Sequence, residues 1–154
     1  MSQSVERVRA VLVDAGIPDE IKVFPEGTRT AADAAAAIGC EVAQIAKSIV
    51  FRSGDRVVLV ITSGVNRVDP HKVSEILNMP IKSADANWVR ETTGFAVGGV
   101  APVGHITPPL VLVDEDLLVL DPIWAAAGSP SHVFRTDVQT LLRLTGGKAA
   151  AIKQ

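Results

Sequence analysis

Ser48 to Thr62 reads Ser-Ile-Val-Phe-Arg-Ser-Gly-Asp-Arg-Val-Val-Leu-Val-Ile-Thr. Two runs rich in β-branched residues, 48–52 and 56–62, flank Ser53-Gly54-Asp55. Gly-Asp is turn chemistry and β-branched side chains favour pleated backbone, so the stretch predicts an antiparallel hairpin. Both arms are nearly continuous apolar runs instead of alternating ones. That pattern predicts a hairpin covered on both faces.

Upstream of the hairpin, Thr30 is an N-cap for the alanine-rich run 31–38, with Asp33 in the first turn and Gly39 at the end. Val42 to Ala46 reads as a short helical piece leading to Lys47. Further back, Ile21 to Phe24 is a short strand candidate. Val5, Val8, Leu12 and Ala15 recur at helical spacing, which predicts a helix from Ser4 to Ala15 closed by Gly16.

Downstream, Asp69-Pro70 opens a helix with Val73, Ile76 and Leu77 on its apolar face, stopped by Pro80. Ala84 to Thr92 predicts another, with Trp88 and Val89 turned inward and Gly94 as C-cap. Leu110–Val113, Leu117–Leu120 and His132–Arg135 read as strands, with Asp114-Glu115-Asp116 a solvated polar turn. Thr136-Asp-Val-Gln139 reads as a capping box for a last helix whose apolar face is Val138, Leu141, Leu142 and Leu144. Gly146-Gly147 ends that helix, and the tail from Lys148 to Gln154 is expected to fray. The class is therefore α+β, a central and mostly antiparallel mixed sheet with helices packed around it. Without repeats, linkers or low-complexity blocks, residues 1–154 are expected to form a single domain.

Composition narrows the function. A net charge of -2 gives no global basic signature for nucleic acid, so an RNA partner needs a local patch. Asn66-Arg67-Val68-Asp69 and Lys72, joined in space by Arg52, Arg56 and Lys82, are the expected patch. One cysteine, Cys40, excludes an internal disulfide and a multi-cysteine zinc site. It lacks any partner base in sequence and reads as a packed small residue. With no secretory signal and no apolar run long enough to span a bilayer, a cytoplasmic protein is expected.

Gly94 to His105 reads Gly-Phe-Ala-Val-Gly-Gly-Val-Ala-Pro-Val-Gly-His. Gly98-Gly99 can present bare amides to a ligand, and Pro102 fixes the chain beyond them. On the residues alone, an ordinary buried turn is the better explanation, because lone glycine pairs are weak signals. Lys47 stands beside Ile45, Ala46, Ile49, Val50 and Phe51 and reads either as a cleft cation or as a strand-end lysine snorkelling to water. His105 can move protons near neutral pH or be satisfied by backbone. His71 falls in a helix first turn and reads as solvent-facing. His132 begins a strand beside Gly128-Ser129-Pro130.

These blocks taken in order, from "TAADAAAAIGCEVAQIAKSIVF" through "VLVITSGVNRVDPHKV" and "SADANWVRETTGFAVGGVAPVGH" to "VLVDEDLL" and "AAAGSPSHVFRTDVQTLLRLTGG", resemble the YbaK family, which includes the editing domain of prolyl-tRNA synthetase. The resemblance runs from about Thr30 to Gly147. It implies a sheet curled around a pocket and a freestanding trans-editing deacylase. Such an enzyme hydrolyses the ester of a small mischarged amino acid (Ala, Ser, Thr or Cys) on tRNA, with tRNA for proline expected. It implies that Lys47, Gly98 and Gly99 carry the catalytic roles, as a cation for phosphate or oxyanion and as amides on the carbonyl oxygen. Val100, Pro102, His105, Gly128 and Ser129 are then substrate-binding. Aminoacylated tRNA is the implied partner, with prolyl-tRNA synthetase a further one, and no metal, organic cofactor or membrane is implied. A non-catalytic aminoacyl-, nucleotide- or tRNA-binding module of the same fold, and an esterase for small aminoacyl metabolites, are the alternatives.

Overall fold

The computed structural model describes residues 3–18, 20–24 and 30–154, and the hairpin lies at its centre. Among the described residues the strands are β1 (Lys22–Val23), β2 (Ile45–Ser53), β3 (Arg56–Ser63), β4 (Lys82–Ser83), β5 (Leu110–Asp114), β6 (Ile123–Ser129), β7 (His132–Thr136) and β8 (Lys148–Ala150). They form one mixed sheet in the order β1-β7-β6-β2-β3-β5-β8, with β4 also paired to β2. Antiparallel ladders join β1/β7, β6/β7, β2/β3 and β2/β4, and parallel ladders join β2/β6, β3/β5 and β5/β8. The helices are α1 (Gln3–Asp14), α2 (Ala31–Ile38), α3 (Pro70–Leu77), α4 (Ala86–Thr93) and α5 (Val138–Thr145).

Alternation along the hairpin sorts the core into two sides. Ala46, Val50, Leu59, Ile61, Val111 and Val113 pack with Val8 and Leu12 of α1, Val89 of α4, and Val138 and Leu141 of α5. The other face of the same strands splits in two. Ile49, Phe51, Val58, Val60 and Leu112 meet Val73 of α3, while Ile45 meets Ala34 and Ala35 of α2 with Trp124 of β6. The second arm is covered on both faces as expected, with Val58, Leu59, Val60 and Ile61 all 0% exposed, whereas Ile49 and Val50 of the first arm are only half-buried. Burying such side chains contributes about 1.5–3 kcal/mol each.

The expected caps for α2 and α4 are present. Thr30 Oγ1 accepts from the Asp33 N–H at 3.0 Å, and Gly39 and Gly94 close the two helices in left-handed backbone. α3 stops earlier than expected, at Leu77, because Asn78 takes the left-handed C-cap position (φ 54) before Pro80 is reached. The last helix is capped by Asp137, whose carboxylate accepts from Thr140 N–H at 2.8 Å, and not by Thr136, which still belongs to β7.

Three further expectations are corrected, and one strand is new. Leu117–Leu120 is not a strand: Glu115–Val119 is a 3-10 helix, started by the Asp114 side chain accepting from Asp116 N–H. Leu117 is buried while Leu118 and Val119 are both exposed, which breaks the alternation of a strand at Val119. The Asp114-Glu115-Asp116 turn is not simply solvated, since Asp114 is 1% exposed. The tail is not frayed. It forms β8, Ile152 is fully buried, and Asp69 and Gln154 N–H groups donate to Ile152 and Arg67 carbonyls at 2.7 and 2.9 Å. Finally, Ile123–Ser129 is a strand between β7 and β2, although only Ile123 and Trp124 in it favour strand. Its Ala125, Ala126 and Ala127 lack strand propensity, and tertiary packing overrides this because α1 lies close against β6. A Cβ added at Gly128 would stand 2.7 Å from Ser4 O, which shows how near α1 comes.

β2 begins at Ile45, so the helical piece before it is the single turn Val42–Gln44, and Lys47 lies inside the strand. One edge of β2 is continuous with β3. On the other edge, β6 pairs only at Ile45–Ala46 and β4 only at Phe51–Arg52. Ser53 and Arg56 close the two-residue turn as a hydrogen-bonded pair. Antiparallel alternation then turns the N–H and C=O groups of Lys47, Ile49 and Phe51 toward β3, and those of Ala46, Ser48, Val50 and Arg52 away from it. The N–H groups of Ser48 and Val50 therefore face a window between the short β6 and β4 pairings.

Candidate active site

A cavity of about 680 Å³ opens at this window. It is lined from the α2 side by Ala31, Ala34, Ile38, Val42 and Lys47, and from the α4 side by Ala84, Val89, Val97, Gly98 and Val100. Most of its wall is apolar. Among the described lining residues Lys47 is the ionisable one.

Lys47 reaches the cavity from the α2 face of β2. Its Nζ donates to Asn66 O at 3.4 Å, a long bond that leaves the ammonium available to a stronger acceptor. Opposite, Ala96–Gly99 is a β-turn closed by Gly99 N–H donating to Ala96 O at 3.0 Å. Gly98 is its third residue with φ 93, a position that favours glycine, and a Cβ there would meet nothing within 4 Å. The Gly98 N–H makes no hydrogen bond among the described residues, whereas Gly99's is committed to the turn. Of the two amides, Gly98's is the one left unpaired among the described residues.

Arg7 of α1 braces this loop at both ends. Its Nη2 donates to Gly94 O at 2.6 Å and its Nε to Gly104 O at 3.0 Å, while its guanidinium sits 5.1 Å from the Phe95 ring centroid. Nothing in the sequence points to Arg7, because a helix-surface arginine carries no pattern of its own.

The other expected substrate-binding residues stand behind the wall. Gly99 abuts the β6–β7 turn, where an added Cβ would come within 2.8 Å of the Ser129 backbone. Ser129 Oγ bonds to His132 Nδ1 at 2.5 Å and accepts from Ser131 N–H. Gly128 O accepts from Ser4 Oγ at 2.7 Å, facing α1. Pro102 is buried. His105 lies under the loop, edge-on to Phe95. Its Nε2–H donates to Ala101 O at 2.7 Å, and Nδ1 is buried without a partner among the described residues. Burial holds its pKa below the ordinary 6.5, so the ring is neutral. The structure thus brings Lys47, Gly98 and Val100 to the cavity, and leaves Gly99, Pro102, His105, Gly128 and Ser129 outside its lining.

The expected basic patch divides in two. Arg52 and Lys82 are cross-strand partners near Arg56, at the hairpin-turn end of β3, with the Arg52 guanidinium 4.4 Å from the Trp88 ring centroid. Asn66 and Lys72 belong to the far end of β3, roughly 20 Å away at the usual strand rise. There Lys72 Nζ donates to Lys153 O at 2.7 Å. Cys40 packs beside the α2 cluster, and burial raises its thiol pKa, the opposite of what a nucleophilic thiolate needs.

Comparison with known proteins identifies the architecture. Residues 25–144 match the family described as the aminoacyl-tRNA editing domain. The uncharacterised protein YwhH of Bacillus subtilis is 31% identical over 94% of this chain and 93% of its own. The proline–tRNA ligase of Lactobacillus helveticus is 27% identical over 87% of this chain, which spans 24% of that enzyme's length. A crystal structure provisionally described as a trans-editing enzyme for prolyl tRNA synthetase superposes with a TM-score of 0.93 at 43% identity, covering 100% of this chain and 99% of that one. The chain belongs to the aminoacyl-tRNA editing-domain family, and its fold is the one shared with that prolyl-tRNA synthetase-related structure.

Proposed function

We propose that this protein is a freestanding deacylase that clears small mischarged amino acids from tRNA for proline. The observation that supports it best is the joint presence, around one apolar cavity, of the Lys47 ammonium and the unpaired Gly98 amide. Water attacks the ester carbonyl, the bond to the ribose oxygen breaks, and a free amino acid and a tRNA ending in a hydroxyl leave. The Gly98 N–H meets the charge that grows on the carbonyl oxygen, and Lys47 holds either that charge or a phosphate of the terminal nucleotide. No side chain lining the described cavity is an evident base. The proton given up by the attacking water ends on the departing ribose oxygen, relayed by solvent or by the substrate's own neighbouring ribose hydroxyl.

No metal or organic cofactor takes part in this reading, so dialysis against a strong chelator leaves the rate unchanged. Gly99, Val100, Pro102, His105, Gly128 and Ser129 shape the pocket in it, with Gly99 and Ser129 acting by fixing the loop that carries Gly98. The cavity wall of alanine and valine accepts Ala, Ser, Thr or Cys. An editing site of this kind supplies discrimination that binding at a synthetase cannot.

The decisive experiment is a single-turnover deacylation panel with Ala-, Ser-, Thr-, Cys- and Pro-tRNA. Rapid loss of one or more small residues with Pro-tRNA spared is expected, and the rate falls as salt weakens phosphate contacts. Tight binding of aminoacyl-tRNA without turnover would favour the non-catalytic module, a reading kept open by the missing base.

A further inference from the structure

Asn66 sits where β3 leaves the sheet. Its N–H donates to Ser63 O at 3.0 Å, closing a turn around Gly64 and Val65. Its own carbonyl is the acceptor for Lys47 Nζ at 3.4 Å, the one hydrogen bond of that ammonium among the described residues. Its side-chain amide Nδ2 donates at 2.8 Å to Asp114 Oδ2 and, at the same distance, to Asp116 Oδ2.

Behind Asn66 stands a buried anchor. Asp114 is 1% exposed. Its Oδ2 also accepts from Thr62 Oγ1 at 3.1 Å and Ser63 N–H at 3.0 Å, and its Oδ1 accepts from Asp116 N–H at 3.0 Å. Ser63 Oγ donates to Ala43 O at 2.7 Å, tying the same turn to the segment before β2. Asp116 is further fixed by Lys153 Nζ at 2.8 Å, whose hydrogen bond, followed by that of Asn66, holds the carboxyl below the usual range. So deeply buried an acidic side chain needs its oxygens satisfied, and the groups that do so are rigid main chain and short side chains.

Lysine is a long, flexible cation, and catalysis by a point charge depends on where that charge stands. We propose that Asn66, clamped by Asp114 and Asp116, is a positioning residue that sets the place of Lys47 Nζ in the cavity. The inference rests on the reading of Lys47 as a group that meets substrate.

The test is a double-mutant cycle on the full chain, with Asn66→Ala, Lys47→Met and the double variant assayed in single turnover on Ala-tRNA and by thermal denaturation. Removing the Asn66 amide keeps the carbonyl but frees it to move. A rate about tenfold lower is expected, since displacing a catalytic group by an ångström costs up to about a hundredfold. In the Lys47→Met background the second change adds no further loss, because the positioned group is gone. Asn66→Ser, whose shorter side chain cannot span both carboxylates, is carried in parallel in case alanine lets the turn open, and the same cycle is expected of it. Losses that multiply show that Asn66 acts on something other than Lys47 and overturn the proposal, as does a wild-type rate in folded Asn66 variants. A wild-type rate for Lys47→Met removes Lys47 from the reaction altogether, and the functional reading falls with it.

Discussion

Gly98 and Gly99 are adjacent, yet they are glycines for different reasons, and substitution separates them. At Gly98 the constraint is conformational. Its φ is 93 and an added Cβ meets nothing within 4 Å. Alanine there costs about 1–2 kcal/mol for positive φ, and asparagine, which tolerates that region, costs less despite its size. At Gly99 the constraint is space, since a Cβ would lie 2.8 Å from Ser129 Cα and C and 3.0 Å from Pro130 Cδ. Backbone must shift to admit it, at about 1–3 kcal/mol for overpacking, and the cost rises with size. Thermal denaturation of the four variants therefore gives opposite orders. Gly98→Asn is more stable than Gly98→Ala, while Gly99→Ala is more stable than Gly99→Asn. In a chain of this length each kcal/mol lowers Tm by about 2–4 °C, so the differences are measurable. The same order at both positions would refute the assignment of open space to one and contact to the other.

Lys47→Met keeps the aliphatic stem and loses one long hydrogen bond, so its Tm stays within a few degrees of wild type, while single-turnover deacylation falls about 10²–10³-fold if the ammonium meets developing charge. Arg7→Ala removes two charge-assisted bonds to the ends of the Gly94–Gly104 stretch, each worth about 1.5–3 kcal/mol, and is expected to lower both Tm and rate, with Arg7→Lys recovering little of either. His105 carries a depressed pKa, so its protonation favours the unfolded chain. Stability is full above about pH 6.5 and declines as pH falls below it, and His105→Phe flattens that decline in urea titrations. Because His105 stands behind the loop, His105→Ala is expected to slow Ala-tRNA and Ser-tRNA equally, and a selective loss on Ser-tRNA would show contact with the substrate hydroxyl.

The central hairpin, the two-sided core and the helix caps at Thr30 and Gly94 are legible in the sequence because each depends on residues near one another in the chain. The ordered blocks lead to the family for the same reason. What stays hidden depends on residues far apart. Most of β6 is small residues, and α1, more than a hundred positions earlier in the chain, packs against it. Leu117–Leu120 has strand composition, yet the Asp114 side chain turns it into a helix by capping it. The tail looks dispensable because nothing local says that Ile152 fills the α3 side of the core. In the site, Lys47 and Gly98 are visible through their sequence context. Asn66 and Asp114 are not, since a surface asparagine and an aspartate in an acidic turn acquire meaning only when the fold brings residues 48 positions apart within 2.8 Å.

The window in the sheet makes the central strand its own reporter. Backbone amides of Lys47, Ile49 and Phe51 are tied to β3, while those of Ser48 and Val50 open on the cavity. Hydrogen–deuterium exchange along this one strand is expected to alternate, slow at odd positions and fast at 48 and 50, in the middle of the central hairpin. A molecule occupying the cavity would slow the fast amides and leave their neighbours unchanged. Two adjacent-but-one resonances could thus follow occupancy directly, with no label and no turnover event, whatever the chemical nature of the occupant.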